Sequence, residues 1–140
     1  MYSYARSTAK TPRDLEGSDK MVQKVVDLAD HFGVDFFMEN PVGLLYKREV
    51  VRGIPMYRVD YCPYADEEWP GHRKSTCIFH VGRWKPGRGL CARRTCPFVA
   101  DGKHVAQVQD LRLHVAYALP AALPQEWCDA YAGVLVEVGT

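Results

Sequence analysis

The sequence VDFFMENPVG, residues 34–43, determines which fold is predicted for this chain. Its apolar run, residues 34–38, has the length and composition of a buried strand of the kind found in parallel sheets. Pro41 lacks a backbone N–H and holds Asn40 in an extended conformation, so the strand is predicted to end before Glu39. Glu39 and Asn40 would then lie at the carboxyl end of a strand, where open α/β sheets bind their ligands. The alternative is that both residues only end the strand and cap the next segment.

An amphipathic helix is predicted directly before this strand, over residues 19–32. Ser18 is a suitable N-cap, and Gly33 is suited to the position after the last turn. The apolar residues between them recur at helical spacing, and they are Met21, Val22, Val25, Val26, Leu28, Ala29 and Phe32. A helix, a glycine and a strand in this order form the second half of a βαβ unit, which favours a parallel sheet.

The rest of the chain adds strands, a loop and a helix to this unit. Residues 57–61 and 76–81 are predicted strands, and residues 125–136 are predicted to form the last helix. Residues 83–104 are rich in glycine, proline and arginine and are predicted to form an irregular basic loop. These elements predict an α/β fold with a mostly parallel sheet of three to four strands and flanking helices. The length of 140 residues predicts a single domain, residues 1–140.

Composition and charge limit the classes of function. A hydrophobic content of 47% and a charged content of 25% are typical of a globular chain. The formal net charge of +1 provides no overall attraction to nucleic acid or membrane, so any anion-binding surface must be local. No apolar stretch approaches the roughly 20 residues of a membrane span, and the first residues lack the apolar core of a secretory signal. The five cysteines are an odd number, which favours thiols in a reducing compartment, with no more specific location indicated.

Three motifs in a fixed order resemble one enzyme family. They are Phe-Phe-Met-Glu-Asn-Pro at 36–41, Val-Asp-Tyr-Cys-Pro-Tyr-Ala at 59–65 and Arg-Lys-Ser-Thr at 73–76. Together they resemble the DNA cytosine-5 methyltransferases, and most of all the phage-like and algal branch of that family. The resemblance covers residues 2–132 and corresponds to the carboxyl-terminal half of such an enzyme. It implies a partial Rossmann-like methyltransferase fold.

The resemblance also implies roles for individual residues. Glu39 would share a proton with ring nitrogen 3 of a flipped cytosine, and Asn40 would orient the loop beside the base. Arg73 and Lys74 would hold the carboxylate, the base or the DNA backbone. These four residues are the predicted catalytic set.

Two parts of the family pattern are missing from the chain. The nucleophilic cysteine of the family would precede Met1, and the half that binds S-adenosylmethionine is absent. The chain is therefore expected to be inactive alone and to use S-adenosylmethionine only when a separate amino-terminal half complements it. Half a sheet leaves strand edges and faces uncovered, which predicts a partner protein or self-association. A repurposed, non-enzymatic structural or interaction subunit of a larger assembly is the alternative function.

A metal site is predicted from the later cysteines. Cys91, Cys96 and His104 can supply three ligands of a structural zinc site, and the candidates for the fourth are Cys62, Cys77 and His80. The spacing is looser than in common zinc motifs. The alternative is that these thiols have no ligand role in an irregular loop.

The loop 83–104 is the one markedly basic segment, and Trp84 lies within it. Basic side chains beside an aromatic ring can follow a nucleic-acid backbone, so DNA is a predicted partner. The predicted contact residues are Arg83, Lys85, Arg88, Arg93 and Arg94. A solvated loop face without a ligand is the alternative.

Overall fold

The computed structural model describes residues 12–66, 70–108 and 111–132 of the chain. The helices and strands in this part are α1 (Leu15–Phe32), β1 (Phe36–Pro41), β2 (Met56–Asp60), β3 (Ser75–Val81), β4 (Val99–Ala100), β5 (Lys103–His104), α2 (Leu113–Tyr117) and α3 (Ala122–Tyr131). Two compact units are present, unit 1 with residues 1–58 and 76–82 and unit 2 with residues 59–75 and 83–140. The single-domain prediction for residues 1–140 stays a prediction. Among the described helices, none has the length and apolar character of a membrane span.

The larger sheet contradicts the predicted parallel arrangement. Its strand order is β1-β3-β2, and β1 runs antiparallel to β3, with Glu39 opposite Ile78 and Asn40 opposite Cys77. The second sheet, β4 with β5, is also antiparallel. The predicted Rossmann-like methyltransferase fold with a mostly parallel sheet is therefore wrong. An apolar run indicates a strand, but it does not determine the direction of the neighbouring strand. Strands of parallel sheets are buried on both faces, whereas the residues of β1 are only half-buried.

Strand β1 also ends later than predicted. It includes Glu39 and Asn40, and Pro41 is its last residue. A proline is tolerated at the end of a strand because only one hydrogen bond of the ladder, the one that its N–H would have donated, is lost. Glu39 and Asn40 consequently lie inside an antiparallel strand rather than beyond the carboxyl end of a parallel one.

Helix α1 confirms the predicted amphipathic helix and extends it toward the amino terminus. The N-cap is Asp14 rather than Ser18, and its side chain accepts a hydrogen bond from the backbone N–H of Gly17 at 2.7 Å. Gly33 ends the helix with φ of +61°, a left-handed conformation that favours glycine. Its backbone N–H donates to carbonyl groups of the last turn, as expected for this type of helix end.

The core of unit 1 lies between α1, two 3-10 turns and strand β3. Five buried side chains form this core: Val22, Leu45, Val51, Cys77 and Phe79. A bidentate ion pair joins Arg48 to Asp19 of α1, with the closest approach at 2.5 Å. Apolar burial supplies most of the stabilisation, at about 25 cal/mol for each Å² removed from water.

The core of unit 2 is built from aromatic side chains. Tyr61, Tyr64 and Trp84 are buried, and so is Leu123 of α3. The Glu126 carboxylate of α3 accepts hydrogen bonds from the Tyr64 hydroxyl and Trp84 Nε1, each at 3.3 Å. Helix α3 therefore anchors the loop after β3. It begins before the predicted residue 125, and the predicted residues 133–136 lie outside the described part of the chain.

Candidate metal centre

Four ligand atoms of unit 2 converge at one point. The thiols of Cys62, Cys91 and Cys96 and one ring nitrogen of His104 all lie within 4.8 Å of one another. The Sγ atoms of Cys91 and Cys96 lie 3.4 and 3.5 Å from His104 Nε2. A tetrahedral ion with zinc–ligand bond lengths would place sulfur and nitrogen ligands about 3.6 Å apart. The cluster has the size and donor set of a metal site. The three ligands predicted from the sequence, Cys91, Cys96 and His104, are all part of it.

Cys62 is the fourth member of the cluster. It follows β2 and begins the 3-10 turn Cys62–Tyr64, and Pro63 supplies a restricted φ within that turn. Cys77 and His80, the other two candidates, belong to unit 1 and are buried there. The ring of His80 stacks on Phe37 with centroids 4.0 Å apart, and its Nδ1 lies 2.7 Å from the carbonyl oxygen of Phe36. His80 is thus a packed residue of the sheet.

Asp60 holds Cys91 in place. The backbone N–H of Cys91 donates to Asp60 Oδ2 at 3.0 Å, and the Ser75 hydroxyl donates to Oδ1. Arg73 Nε lies 3.2 Å from Oδ2, which is an ion-pair distance without hydrogen-bond alignment. Burial alone would raise the pKa of Asp60, but the hydrogen bonds from Ser75 and Cys91 and the charge of Arg73 outweigh it and lower the pKa. Asp60 therefore stays an anion that supports the ligand loop.

The β4–β5 hairpin delivers His104 to the cluster. Asp101 and Gly102 form its two-residue turn with φ of +49° and +74°, which is the type I′ geometry that matches the twist of paired strands. The pairing puts His104 opposite Val99. The backbone N–H of Val99 donates to the carbonyl of Cys96 at 3.1 Å, so the hairpin starts directly after that ligand.

The sequence carried a signal for this hairpin that the prediction of an irregular loop missed. Asp-Gly between Phe-Val-Ala and Lys-His-Val is a strong short-range mark of a type I′ hairpin. Read as a hairpin, the segment would have brought residues 96 and 104 close together. The sequence carried no such signal for choosing Cys62 over Cys77 as the fourth ligand, because that choice depends on contacts distant in sequence.

The thiols of Cys62 and Cys91 both have a raised pKa. Burial raises the pKa of Cys62, and the neighbouring Cys91 and Cys96 raise it further. Burial is also the largest cause of the raised pKa of Cys91. Burial lowers the pKa of His104, and the positive charges of Arg73 and Arg93 act in the same direction. Binding of a cation would release thiol protons, and its positive charge would offset the repulsion between the thiolates that form.

The four residues of the predicted catalytic set divide between the two units. Glu39 and Asn40 lie in β1 of unit 1, where Asn40 Nδ2 donates to the carbonyl of Pro41 at 2.7 Å. Arg73 and Lys74 lie in unit 2. The ammonium group of Lys74 donates to the Ala116 carbonyl at 3.2 Å and lies 5.1 Å from the centroid of the Tyr61 ring. Arg73 and Lys74 each have a structural partner inside unit 2.

The five predicted nucleic-acid residues are exposed, but two of them contact aromatic rings of unit 2. The guanidinium of Arg83 lies 5.3 Å from the centroid of the Tyr131 ring. That of Arg88 lies 5.0 Å from the Tyr64 ring and donates to the Pro63 carbonyl at 2.7 Å. Trp84 is buried, so it offers no stacking surface to a base. Of the five, Lys85, Arg93 and Arg94 make no such ring contact with the described residues.

Comparisons with protein-family models, with characterised proteins and with solved structures return no match to this chain. The resemblance to the cytosine-5 methyltransferases therefore stays a hypothesis that rests on the three motifs. The metal cluster stands on geometry alone, since its donor atoms meet without reference to any relative.

Proposed function

We propose that Cys62, Cys91, Cys96 and His104 bind a structural zinc ion, and that the zinc-held loop of unit 2 is a non-enzymatic module that binds nucleic acid. The observation that carries the proposal is the convergence of four nitrogen and sulfur ligands within 4.8 Å. Three thiolates and one imidazole are a donor set that suits zinc, whereas calcium and magnesium take oxygen ligands.

A structural role is favoured over a catalytic one because the protein supplies all four ligands. Catalytic zinc sites use three protein ligands and keep the fourth position for water or substrate. The ligands also come from segments distant in sequence, with Cys62 after β2 and His104 in β5. An ion that joins such segments removes chain entropy from the unfolded state and stabilises a region with little regular structure.

Nucleic acid is the proposed ligand because the metal-binding segments carry the cations. Arg93 and Arg94 lie between two ligand cysteines, and Lys103 directly precedes His104. All three side chains are exposed. The methyltransferase resemblance supports the same ligand class, since that family acts on DNA. No feature of the described residues supports a proposal of methyl transfer. The use of S-adenosylmethionine as a cofactor is implied by the resemblance alone.

The zinc proposal is tested by metal analysis of the full-length chain purified without chelator. We expect about one equivalent of zinc for each chain. Replacing zinc with cobalt should give the intense visible absorption bands of a tetrahedral site with thiolate ligands. Cys96→Ser should lower the zinc content to well below half an equivalent and abolish these bands.

Cys128→Ser is the matched control because Cys128 is exposed, lies in α3 and is not part of the cluster. It should retain full zinc content and the cobalt spectrum. Equal loss of metal in both variants, or an octahedral cobalt spectrum in the parent chain, would contradict the proposal.

A further inference from the structure

A polar cavity of about 260 Å³ lies beside the candidate metal centre in unit 2. Its lining residues are Arg73, Arg93, Gly102, Lys103, His104 and Ala106, together with Gln107. Three of the lining side chains are cationic, and none of the described lining residues is acidic. The volume is too small for most drug-sized ligands and is ample for a phosphate group with part of the sugar attached to it.

The three cations of the cavity differ in how much of their charge is already balanced. Arg73 is half-buried and pairs with Asp60, so it is fixed in position and partly neutralised. For Arg93 and Lys103, the described part of the chain provides no hydrogen bond or ion pair. Both side chains are exposed, so they retain their charge at the mouth of the cavity without an acidic neighbour in its lining.

The metal ligand His104 fixes the wall that carries one of these cations. Lys103 and His104 form strand β5, and the side-chain amide of Gln107 donates to the carbonyl of His104. Metal binding would therefore hold Lys103 and Gln107 in one arrangement around the cavity. A preorganised set of donors loses less conformational entropy when an anion binds.

We infer that this cavity is a binding site for a phosphate group of a nucleic-acid backbone, held by Arg93 and Lys103 with Arg73 behind them. The inference rests on the proposed function, because it names the part of the zinc-held module that would contact the ligand. A guanidinium offers a planar fork to two phosphate oxygens, and an ammonium adds a point charge. Backbone contacts of this kind carry no sequence information, so the site predicts binding without strong sequence preference.

The main competing role for these cations is support of the metal. A zinc ion with three thiolates and a neutral imidazole carries a formal charge of −1, which nearby arginines would stabilise. The two roles predict different results for Arg93→Gln. As a phosphate ligand, Arg93 can be replaced without loss of metal, whereas as a support of the thiolates it cannot.

The test uses zinc-loaded full-length chain, a fluorescent single-stranded oligonucleotide and inorganic phosphate as the two probes. We expect Arg93→Gln and Lys103→Gln each to weaken oligonucleotide binding by roughly three- to tenfold and to reduce the slope of log K against log salt by about one. Lys24→Gln is the matched control, since Lys24 is an exposed cation of α1 in unit 1 that does not line the cavity. It should change the affinity by less than about twofold.

Amide chemical shifts of the ¹⁵N-labelled chain locate the bound probe. The oligonucleotide should shift the amides of Gly102, Lys103 and Gln107 at micromolar concentration, and inorganic phosphate should shift the same amides only at millimolar concentration. Tight binding of inorganic phosphate with no effect of the oligonucleotide would overturn the backbone assignment in favour of a small-anion site. Equal effects of Arg93→Gln and Lys24→Gln would overturn the cavity as the site, and loss of zinc in Arg93→Gln would assign the cation to the metal. Zinc analysis of every sample separates a failure of this inference from a failure of the metal site.

Discussion

At the scale of single residues, Asp60 connects the core of unit 2 to the candidate metal centre. Its side chain is almost fully buried, and its two oxygens accept from Ser75 and from the backbone of Cys91. An anion in this position costs desolvation, which hydrogen bonds and the charge of Arg73 offset. Asp60 would therefore affect a bound metal through Cys91, the candidate ligand whose backbone it holds.

Asp60→Asn is expected to weaken zinc binding by roughly 10- to 100-fold, as loss of an outer-shell partner of a metal ligand typically does. The amide keeps the size of the side chain but removes the negative charge opposite Arg73 and one acceptor oxygen. Competition with a chromogenic chelator measures the change in affinity. Asp101→Asn is the control, because asparagine also suits the left-handed conformation of that turn position. Unchanged affinity in Asp60→Asn would show that Cys91 is positioned without this carboxylate.

At the scale of elements, the β4–β5 hairpin depends on a close approach between two segments of unit 2. Gly71 has φ of +72°, and a Cβ atom added there would lie 2.1 Å from Cδ1 of Phe98. Phe98 lies between the ligand Cys96 and strand β4. The absence of a side chain at residue 71 thus allows the ring to pack where the hairpin begins.

Gly71→Ala is expected to lower the free energy of unfolding by roughly 2 to 4 kcal/mol, from a strained positive φ together with overpacking against the Phe98 ring. Chemical denaturation of the zinc-loaded chain measures the change. Gly89→Ala is the matched control, since residue 89 has open space around it and no positive φ. That variant should lie within about 0.5 kcal/mol of the parent chain. Similar values for both variants would show that the ring adjusts without cost.

Elements were predicted well where local chemistry determines them. Helix α1 follows from its apolar period and from Gly33, and strand β3 from its short, mainly apolar sequence. Strand β1 was found, but its end at Pro41 and its antiparallel partner were not, because pairing is decided by residues about forty positions further along the chain. The candidate ligands Cys91, Cys96 and His104 were found from residue type. The tertiary structure was needed to identify Cys62, rather than Cys77, as the fourth candidate ligand.

At the scale of the whole molecule, the candidate metal centre lies within one of the two units. Unit 1 contains the long helix α1 and an apolar core. Unit 2 contains all four candidate ligands and, within its sequence ranges, all three tryptophans of the chain. The predicted protein partner and the alternative of a subunit in a larger assembly stay predictions. Exposed apolar residues along α1 offer a place for such contact, and they are Met21, Val25, Leu28 and Phe32.

Removal of zinc is therefore expected to affect the two units unequally. A strong chelator should shift tryptophan emission to longer wavelength, because Trp84 is buried in the unit that contains the candidate metal centre. The helical circular-dichroism signal should fall by less than half, since α1 is the longest helix of the described chain and lies outside that unit. Parallel thermal melts with both probes, with and without chelator, measure the effect. A complete and simultaneous loss of both signals would show that unit 1 cannot remain folded when unit 2 loses its metal.

The three cysteine ligands also bear on how the protein would behave during purification. The chain without metal has a formal net charge of +1. A bound zinc ion replaces three thiol protons with two positive charges, so the loaded chain is formally neutral at pH 7. Proteins without net charge repel one another least and precipitate most readily. The loaded form should therefore have the lower isoelectric point and need more salt or a more alkaline buffer to stay in solution at high concentration.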